Sequence, residues 1–531
     1  MTKKPDPPPG KVSIGNDEIA TALEVLERVA SDRGLLASVD RETRERLQKL
    51  AGSVGRPDVI QRRRLRKALG KAERDARREA NRGLRRGTGI RKLREDPVFR
   101  TPLPPAPVDE AASAEAEGPE LTDPHRCYVC KARYTRLHPF YDQLCPACGD
   151  ANFARRNAAV DLRGRVALVT GARVKIGYQA AIMLLRAGCT VVACTRFPRD
   201  AAARYAREPD FAAWKDRLQV WGIDLRHTPS VELLCHRLDA ALPRLDFQVH
   251  NACQTVRRPP GFYAHLVERE LGPWSGVPGM ERPLLERYEE ARSHASEGAH
   301  GLARPAALTQ AATAADAVGA GTADVGTVPA ALLPEAVRPA VELFPRGVLD
   351  QDLQQVDLRT HNSWRLRLHE VPTLELLEVM LVNATAPFVM AARLKPLMLR
   401  VPGAPAGTGT SHDPARHVVM VSAMEGQFYR GKKTDKHPHT NMAKAALNMV
   451  VRTSAPDYAR DGIFLNAVDT GWVTDEDPAH LAERKAEEHG FSPPLDIVDG
   501  AARILAPIFE GFTTGKHPSG VFFKDYAPAP W

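Results

Sequence analysis

The sequence predicts an α/β protein built on a doubly wound parallel sheet, and two observations carry that prediction. From Arg165 onward, short apolar runs with few charges alternate with amphipathic helical stretches. Strands that are buried on both faces of a parallel sheet have such runs, and the helices between them give the βαβ rhythm of this fold class. The runs are RVALVTGA, TVVACTR, LQVWGIDL, LDFQVHNA, HVVMVSA and GIFLNAVDT. Ligands bind such sheets outside the carboxyl ends of the strands, so we expect the functional residues there.

The chain has 531 residues, which is more than one ordinary domain contains. Its 43% hydrophobic and 26% charged residues are typical of a globular protein and exclude a disordered or membrane-embedded one. We find no uninterrupted apolar run of the roughly 18 residues that span a bilayer, and MTKKPDPPPGK lacks the apolar stretch of a secretory signal. The sequence therefore predicts a cytoplasmic protein that does not contact a membrane.

Four parts are predicted along the chain. Residues 1–100 form a basic helical region in which SVD at 38–40 caps the second helix, and residues 101–121 form a Pro/Ala/Glu-rich linker. Residues 122–160 form a small metal-binding module. Residues 161–531 form the αβ domain, which carries a long insertion at about 256–371. The middle of that insertion is rich in Ala and Gly, whereas its last part, VDLRTHNSWRLRLHEVP, has the composition of an ordered segment.

The positive charge is concentrated in the helical region. The chain has a net charge of +9, and the residues from Arg56 to Arg100 include 17 Lys and Arg against six Asp and Glu. A solvated basic helix is one interpretation. The other is contact with a protein partner or with nucleic-acid phosphates, although few aromatic residues interleave the charges.

Two CxxC pairs predict a metal site. Cys127 and Cys130 are separated by 14 residues from Cys145 and Cys148. Such pairs present four thiolates to one tetrahedral Zn²⁺, and a Cys₄ site leaves no open coordination position, which indicates a structural role. The other four cysteines are scattered through apolar runs, so a disulfide framework is not indicated. The segment resembles the zinc ribbons of nucleic-acid-binding and protein-docking modules.

Sequence motifs follow the predicted strands in a recognisable order. VTGARVKIG follows the first strand and opens a helix, in the way that glycine-rich turns bring phosphate to a helix N-terminus. The third strand closes with DL, the fourth with NAC and the sixth with VDTGW, while an asparagine in LELLEVMLVNATAPF and a lysine in HTNMAKAALNM lie on helices. In this order the motifs resemble those of the short-chain dehydrogenase/reductase family. The resemblance covers residues 161–255 and 372–531, with GVFFKDYAP as the last strand.

The resemblance implies a Rossmann fold that binds a nicotinamide dinucleotide. Glycines shape the pyrophosphate turn, Asp224 and Leu225 flank the adenine, and Asn251 stabilises the sheet. Asn383 supports a proton-relay water, while Lys444 binds the nicotinamide ribose and lowers the pKa of a catalytic tyrosine. The implied cofactor-binding set is Gly171, Arg173, Lys175, Ile176, Gly177, Arg196, Asp224, Leu225, Asn251, Ala252, Lys444, Thr470 and Gly471.

Charge at the end of the second strand favours NADP(H) over NAD(H). Cys194, Thr195 and Arg196 offer no carboxylate for a ribose 2′-hydroxyl but do offer a guanidinium for a 2′-phosphate. The alternative is that Arg196 is only an exposed loop charge.

Three positions depart from the family pattern. Lys175 stands where the middle glycine of the phosphate turn is usual, so its side chain either points away from the phosphate or adds a cationic contact. Ala423 stands at the position of the catalytic serine. Its neighbour Ser422 is a candidate replacement, but adjacent strand residues face opposite sides of the sheet.

Thr440 stands where the catalytic tyrosine is expected, four residues before Lys444. An aliphatic alcohol is a much weaker acid than a phenol, so Thr440 is a poor proton donor, and we also interpret it as the N-cap of the following helix. Other donors nearby are Tyr429, His437 and His439. Although Tyr429 and Lys433 form a YxxxK string, Gly431 interrupts it, and we interpret that match as accidental.

Two functions remain open. The first is an NADP(H)-dependent oxidoreductase that acts on a small carbonyl or alcohol substrate through an altered proton-donor site. The second is a catalytically impaired dinucleotide-binding module, coupled through the zinc ribbon and the basic helix to nucleic acid or a protein partner. The insertion is expected either to cover the substrate pocket or to block the helix surface through which this family forms homodimers.

Overall fold

In the computed structural model, the described residues are 14–104, 118–293, 343–400, 415–431 and 433–531. Most of the predicted linker and the Ala/Gly-rich middle of the insertion lie outside these residues. The chain separates into two compact units, Met1–Ala80 and Asn81–Trp531.

Helices make up the described part of the first unit. They are α1 (Asn16–Ser31), α2 (Arg41–Gly55) and the first part of α3 (Val59–Arg86). The Asp40 side chain accepts a hydrogen bond of 2.8 Å from the Thr43 backbone N–H at the start of α2, so the predicted cap is confirmed. The apolar residues of α3 at Leu65 and Leu69 are exposed, as in a solvated helix.

The second unit begins with a small cysteine-containing module. Its elements are α4 (Gly89–Glu95), the antiparallel strands β1 (Glu120–Arg126) and β2 (Arg133–Arg136), and α5 (Pro146–Arg156). Strand β1 starts at Glu120, two residues inside the segment that the sequence assigns to the linker.

An eight-stranded sheet forms the centre of the second unit. It confirms the doubly wound, mostly parallel sheet that the sequence predicts. Its strands are β3 (Val166–Thr170), β4 (Thr190–Thr195), β5 (Leu218–Gly222), β6 (Phe247–His250), β7 (Arg416–Ser422), β8 (Ile463–Asp469), β9 (Phe522–Lys524) and β10 (Ala527–Ala529). Their order is β10-β9-β8-β7-β6-β3-β4-β5, and all neighbours are parallel except β9 and β10. The predicted last strand, GVFFKDYAP, thus folds as two short strands.

Helices cover both faces of this sheet, and further helices lie at its β5 edge or in the connections between strands. They are α6 (Lys175–Arg186), α7 (Pro198–Tyr205), α8 (Phe211–Trp214), α9 (Thr228–Ala241), α10 (Ala264–Leu271), α11 (Arg282–Ser293), α12 (Thr373–Met380), α13 (Ala386–Leu399), α14 (Pro438–Arg460), α15 (Ala479–His489) and α16 (Ile497–Thr514). A π-helical turn, Leu381–Thr385, joins α12 to α13.

Alternation along β3 shows how the apolar runs build two cores. Ala167 and Val169 pack in the core that α6 and α16 cover, whereas Leu168 packs in the core under α9, α13 and α14. All three side chains are fully buried. Successive strand residues point to opposite faces, so a strand with helices on both sides must be apolar throughout.

The described part of the insertion packs against the outer edge of the sheet and against the carboxyl ends of its strands. Tyr288 of α11 lies so close to β5 that a Cβ on Gly222 would be 2.4 Å from its hydroxyl. Helix α11 therefore covers the β5 edge, which would otherwise expose unpaired backbone groups.

One segment, Thr373–Leu399, is long and apolar enough to cross a membrane by length and composition, with a mean hydropathy of 1.5. Polar residues interrupt this segment, so it is not one uninterrupted apolar run. In the structure 56% of an 18-residue apolar stretch within this segment is buried. Helix α13 packs against the central sheet. Core helices of globular domains have the same composition, so the segment is weak evidence for a membrane span.

Candidate active site

A crevice of about 1400 Å³ opens at the carboxyl ends of the strands. The insertion contributes to its wall through residues such as Tyr263 and Trp364. Part of the described insertion therefore lies at the crevice, and whether the insertion covers the substrate pocket or blocks a dimer surface stays a prediction. Among the predicted site residues, those that line the crevice are Gly171, Arg173, Lys175, Ile176, Arg196, Asp224, Leu225, Asn251, Ala252, Ser422, Lys444, Thr470 and Gly471.

The turn after β3 is too tightly packed for any side chain at its two outer glycines. Gly171 has a φ of 68°, and a Cβ there would lie 2.9 Å from the Ala252 Cα. A Cβ on Gly177 would lie 2.3 Å from the Asn251 Nδ2 and 2.4 Å from the Gly171 carbonyl oxygen. Asn251 also donates to the Thr170 carbonyl oxygen at 3.2 Å, which ties β6 to the turn. At these two positions the close packing therefore admits backbone but no side chain.

Lys175 occupies a position that suits glycine. Its φ of 55° is in the left-handed region, which costs a lysine about 1–2 kcal/mol. Its Nζ lies 3.9 Å from an Asp352 carboxylate oxygen of the insertion. Burial opposes the charge on Lys175, but the carboxylates of Glu476 and Asp352 outweigh burial and raise its pKa. A permanent positive charge thus stands at the N-terminus of α6, where an anion would bind.

Arg173, the other cation of the turn, is already paired. Its guanidinium donates to Asp200 at 2.8 Å and is buried. The neighbouring Ile176 also lines the crevice and packs against Gly500 of α16. Of the two cations in this turn, Lys175 is thus the less constrained.

At the β4 and β5 end of the crevice, Arg196 and Asp224 both have partners. Arg196 donates to the Tyr263 hydroxyl at 2.8 Å, with its guanidinium 4.7 Å from the centre of that ring. Asp224 is buried and accepts from Arg226 at 2.6 Å, and although burial opposes it, Arg226 lowers the pKa of Asp224. Arg226 is held in turn by Glu378 at 3.1 Å. This end of the crevice therefore combines two guanidinium groups with one ionised carboxylate.

At the β7 end, the retained lysine and the serine are buried and hydrogen-bonded. Lys444 on α14 donates from Nζ to the Val421 carbonyl oxygen at 2.7 Å. Ser422 donates to Asn448 Oδ1 at 2.6 Å. Both Lys444 and Ser422 line the crevice, so an ammonium and a hydroxyl group are present at the end of β7.

Asn383 lies beside the crevice rather than in its wall. It sits in the π-helical turn between α12 and α13, is buried, and accepts from the Gln254 backbone N–H at 2.7 Å. It also donates to the Gln254 carbonyl oxygen at 3.3 Å. In the structure Asn383 clamps the main chain that leaves β6.

The interpretation of Thr440 as an N-cap is wrong. Helix α14 begins at Pro438 and is capped by His437, which places Thr440 inside the first turn. Its hydroxyl is buried and has no hydrogen-bond partner among the described residues. Thr440 does not line the crevice, and neither does Tyr429, whose side chain is 80% exposed. The structure therefore brings neither hydroxyl to the cavity wall.

His437, which the sequence offers only as one of several donors, is the imidazole in the crevice wall. It has a left-handed φ of 43° and is buried. Its backbone N–H donates to the Leu366 carbonyl oxygen at 2.7 Å, and its ring stacks on Trp364 with centroids 3.9 Å apart. Burial lowers the pKa of His437, and the Glu425 carboxylate partly opposes that shift. The last part of the insertion thus contacts both the main chain and the ring of His437.

Asp469 is a site residue that the sequence analysis missed. It ends β8 directly opposite Ser422 and lines the crevice. One carboxylate oxygen accepts from the Gly471 backbone N–H at 2.9 Å, and the other has no partner among the described residues. Burial raises the pKa of Asp469 to about 6. A carboxylate that interrupts the apolar end of a buried strand was the signal available in the sequence.

The four CxxC cysteines converge next to the crevice. Their sulfur atoms all lie within 4.8 Å of one another. The 3.7 Å between the Sγ atoms of Cys130 and Cys145 is far from a disulfide, and matches the edge of roughly 3.8 Å of a tetrahedron with metal–sulfur bonds near 2.3 Å. The arrangement therefore fits one tetrahedral metal ion bound by four thiolates.

Part of the chain around this site is similar to known proteins. Residues 165–265 match the family described as short chain dehydrogenase. A relative from Acanthamoeba polyphaga mimivirus, "Uncharacterized protein R665", is 29% identical over 394 residues, which are 72% of this chain and 71% of that protein.

Shorter stretches of the chain are similar in sequence to two dehydrogenases. Short-chain dehydrogenase fogG from Aspergillus ruber is 38% identical over 94 residues, 18% of this chain and 27% of that protein. Dehydrogenase/reductase SDR family member 13 from Bos taurus is 34% identical over 118 residues, 21% of this chain and 30% of that protein. The chain therefore spans less than a third of the length of either dehydrogenase.

Among solved structures, the Pseudomonas aeruginosa RhlG/NADP active-site complex is 18% identical, with 68% of this chain and 95% of that chain covered at a TM-score of 0.38. The family match covers β3 to β6 and the crevice turn after β3, inside a sheet that is parallel in all but its last strand. Residues 165–265 are therefore similar to the short-chain dehydrogenase family, over the part of the sheet that forms the turn side of the crevice.

Proposed function

We propose that this domain is an NADP(H)-dependent oxidoreductase acting on a small carbonyl or alcohol substrate in the cytoplasm. The observation that supports it most is the open crevice. The tightly packed turn at Gly171 forms part of its wall, and Lys444 and Ser422 lie at the β7 end. No side chain of the described residues fills that space. A lysine beside an open cavity of about 1400 Å³ suits a bound nicotinamide cofactor.

The residues of the crevice fit such a cofactor. The backbone of the Gly171 turn and the N-terminus of α6 suit the pyrophosphate, with Lys175 adding positive charge. Arg196 brings a guanidinium to the β4 end, where a 2′-phosphate would be recognised. At the opposite end, the unpartnered oxygen of Asp469 offers an acceptor for a carboxamide N–H. When bound, the nicotinamide supplies hydride exchange with a carbonyl or alcohol carbon.

His437 is the residue that we propose to exchange the proton with the substrate oxygen. It lines the crevice, whereas Thr440 and Tyr429 do not. Its imidazole is neutral at pH 7 because burial lowers its pKa, so it can accept a proton from an alcohol. The stacking on Trp364 holds the ring in one orientation, which general acid–base catalysis needs.

The four-cysteine cluster is proposed to hold a structural Zn²⁺. All four ligand positions are protein thiolates, which leaves no position for substrate or water.

A change of Lys444 to alanine tests the proposed function. With NADPH and a panel of carbonyl substrates, the loss of nicotinamide absorbance is expected to slow by about 100-fold or more, because the change removes the ammonium beside the cofactor site. Lys395→Ala is the matched control, since Lys395 pairs with Asp457 and Asp461 on the surface. The control should leave turnover unchanged.

The binding-module alternative predicts a different outcome. Lys444 is engaged with a main-chain carbonyl and Thr440 cannot replace a phenol, so NADPH could bind without any turnover. Tight binding without turnover, together with salt-sensitive nucleic-acid affinity that is lost when Arg62 to Arg66 are neutralised, would favour the module.

The pH dependence of turnover tests His437. As the acid in carbonyl reduction, the imidazole must be protonated, so the reduction rate should fall as the pH rises through a pKa below 6.5. Alcohol oxidation needs the neutral ring and should rise over the same interval to a plateau. His437→Asn should remove this limb of the profile and slow turnover by about 100-fold or more.

The other titrating groups near His437 define the control. Glu425 and His439 are the ionisable groups whose charges act on its ring, and both remain in His437→Asn. His361→Asn changes an exposed histidine of the same insertion and should leave the profile intact. A limb that persists in His437→Asn would assign the proton transfer to another group.

A further inference from the structure

The cysteine module reaches into the wall of the crevice through one tyrosine. Tyr128 lies between the ligand residues Cys127 and Cys130, and its side chain lines the crevice. Its hydroxyl accepts a hydrogen bond of 3.0 Å from the Trp472 backbone N–H. Trp472 follows Gly471, in the loop that leaves β8 beside Asp469. Tyr128, which lies between two sulfur ligands in sequence, therefore contacts the loop after β8. That loop follows Asp469, which pairs with Ser422 at the end of β7.

The position of that tyrosine depends on the same short turn that carries the cysteines. Cys127 accepts the Cys145 backbone N–H at 3.4 Å, and the Cys127 backbone N–H donates to the Ala132 carbonyl oxygen at 2.8 Å. Lys131, which ends the turn, has a left-handed φ of 64° and places its ammonium 4.9 Å from the centre of the Tyr128 ring. These hydrogen bonds and the burial of Cys127 hold one side of the turn, whereas Cys130 is exposed and its Sγ lies 3.7 Å from that of Cys145. A metal ion shared by the two sulfur atoms would fix this exposed side.

One apolar cluster joins the module to two crevice segments. The cluster contains Val473 of the loop after β8 and Leu495, which lies just before α16. These pack with Cys127, Leu137, Tyr141 and Leu144 of the module, and Ile176 of the phosphate turn packs against the same cluster. Both the phosphate turn and the loop after β8 thus rest on the module. Loss of the metal would loosen the packing under both segments.

We propose that the cysteine module forms part of the dinucleotide site, so that metal and NADP(H) bind cooperatively through Tyr128. The identity of the dinucleotide rests on the proposed function. A bound metal fixes the Cys127–Cys130 turn, the turn places the Tyr128 hydroxyl under the Trp472 backbone, and that contact shapes the crevice loop. Because coupling between two binding sites is reciprocal, bound NADPH raises the affinity for the metal by the same factor.

The experiment compares NADPH binding by the full-length protein loaded with Zn²⁺ and after chelation, using the fluorescence of the bound nucleotide. Removal of the metal should weaken NADPH binding at least tenfold, and saturating NADPH should slow transfer of Zn²⁺ to a chromogenic chelator. Circular dichroism monitors whether the metal-free protein keeps its secondary structure.

Tyr128→Phe keeps the experiment decisive if the metal-free protein unfolds. This variant retains all four ligands but loses the hydrogen bond to Trp472, so the Zn²⁺-loaded variant should bind NADPH several-fold more weakly than the parent. Tyr134→Phe is the matched control, because the Tyr134 hydroxyl donates to the Asp142 carbonyl oxygen within the module and does not line the crevice. It should bind NADPH as the parent does.

The outcomes separate the two proposals. If the Zn²⁺-loaded protein binds NADPH and neither chelation of a folded protein nor Tyr128→Phe changes the affinity, the cooperative site is overturned while the proposed function stands. If no form of the protein binds NADPH, the proposed function fails and this inference fails with it.

Discussion

Replacing Gly177 with alanine is expected to weaken NADPH binding by about 100-fold and to destabilise the αβ domain by about 2–3 kcal/mol. The added Cβ would lie 2.3 Å from the Asn251 side-chain nitrogen and 2.4 Å from the Gly171 carbonyl oxygen. The second contact is with backbone, so the turn itself must move. That movement breaks the Asn251 bond that ties β6 to the turn and misplaces the N–H groups offered to phosphate. Titration with NADPH and thermal unfolding measure the two effects.

Gly279→Ala is the control for this change. A Cβ at Gly279 would meet no atom within 4 Å, so the methyl group itself should be tolerated there. If Gly177→Ala binds NADPH as tightly as Gly279→Ala does, the turn after β3 is not where the phosphates bind.

The fold could be predicted from the sequence because its signal is local. Each of the six apolar runs becomes a strand, since a strand buried on both faces admits almost no polar residue. The start of α14 is also encoded locally, although the sequence analysis assigns the N-cap to Thr440 rather than to His437. Pro438 fixes the first helical position, where proline is favoured, and it outweighs the capping preference of Thr440.

The surroundings of the crevice residues could not be predicted in the same way, because they depend on contacts between segments that are distant in sequence. Nothing near His437 indicates that Trp364 of the insertion stacks on its ring. Nothing near Cys127 indicates that Tyr128 reaches the loop after β8. The left-handed conformation of Lys175 likewise follows from the closure of the turn rather than from any preference of lysine.

The docking of the cysteine module rests on a buried charge cluster, and breaking it should be the most destabilising single change. Arg156, at the end of α5, donates to Asp496 at 2.5 Å and lies 3.2 Å from Asp499, both at the start of α16. All three side chains are buried, and Tyr141 donates to Asp499 at 2.5 Å. Arg156→Met should reduce the free energy of unfolding by about 3–5 kcal/mol, because two carboxylates remain buried without their main partner.

The pH dependence and a second substitution identify the cause. Although burial opposes it, Arg156 lowers the pKa of Asp496, so its contribution to stability is present above the unfolded pKa near 3.8 and is lost as the pH falls further. Arg156→Met should therefore lose this acid dependence, and adding Asp499→Asn should recover part of the stability by removing one buried charge. Arg393→Met, in an exposed pair with Glu232, is the control and should unfold as the parent does. If Arg156→Met and Arg393→Met unfold alike in urea, the cluster does not hold the module, and the support that Tyr128 gives to the crevice must come from the apolar packing alone.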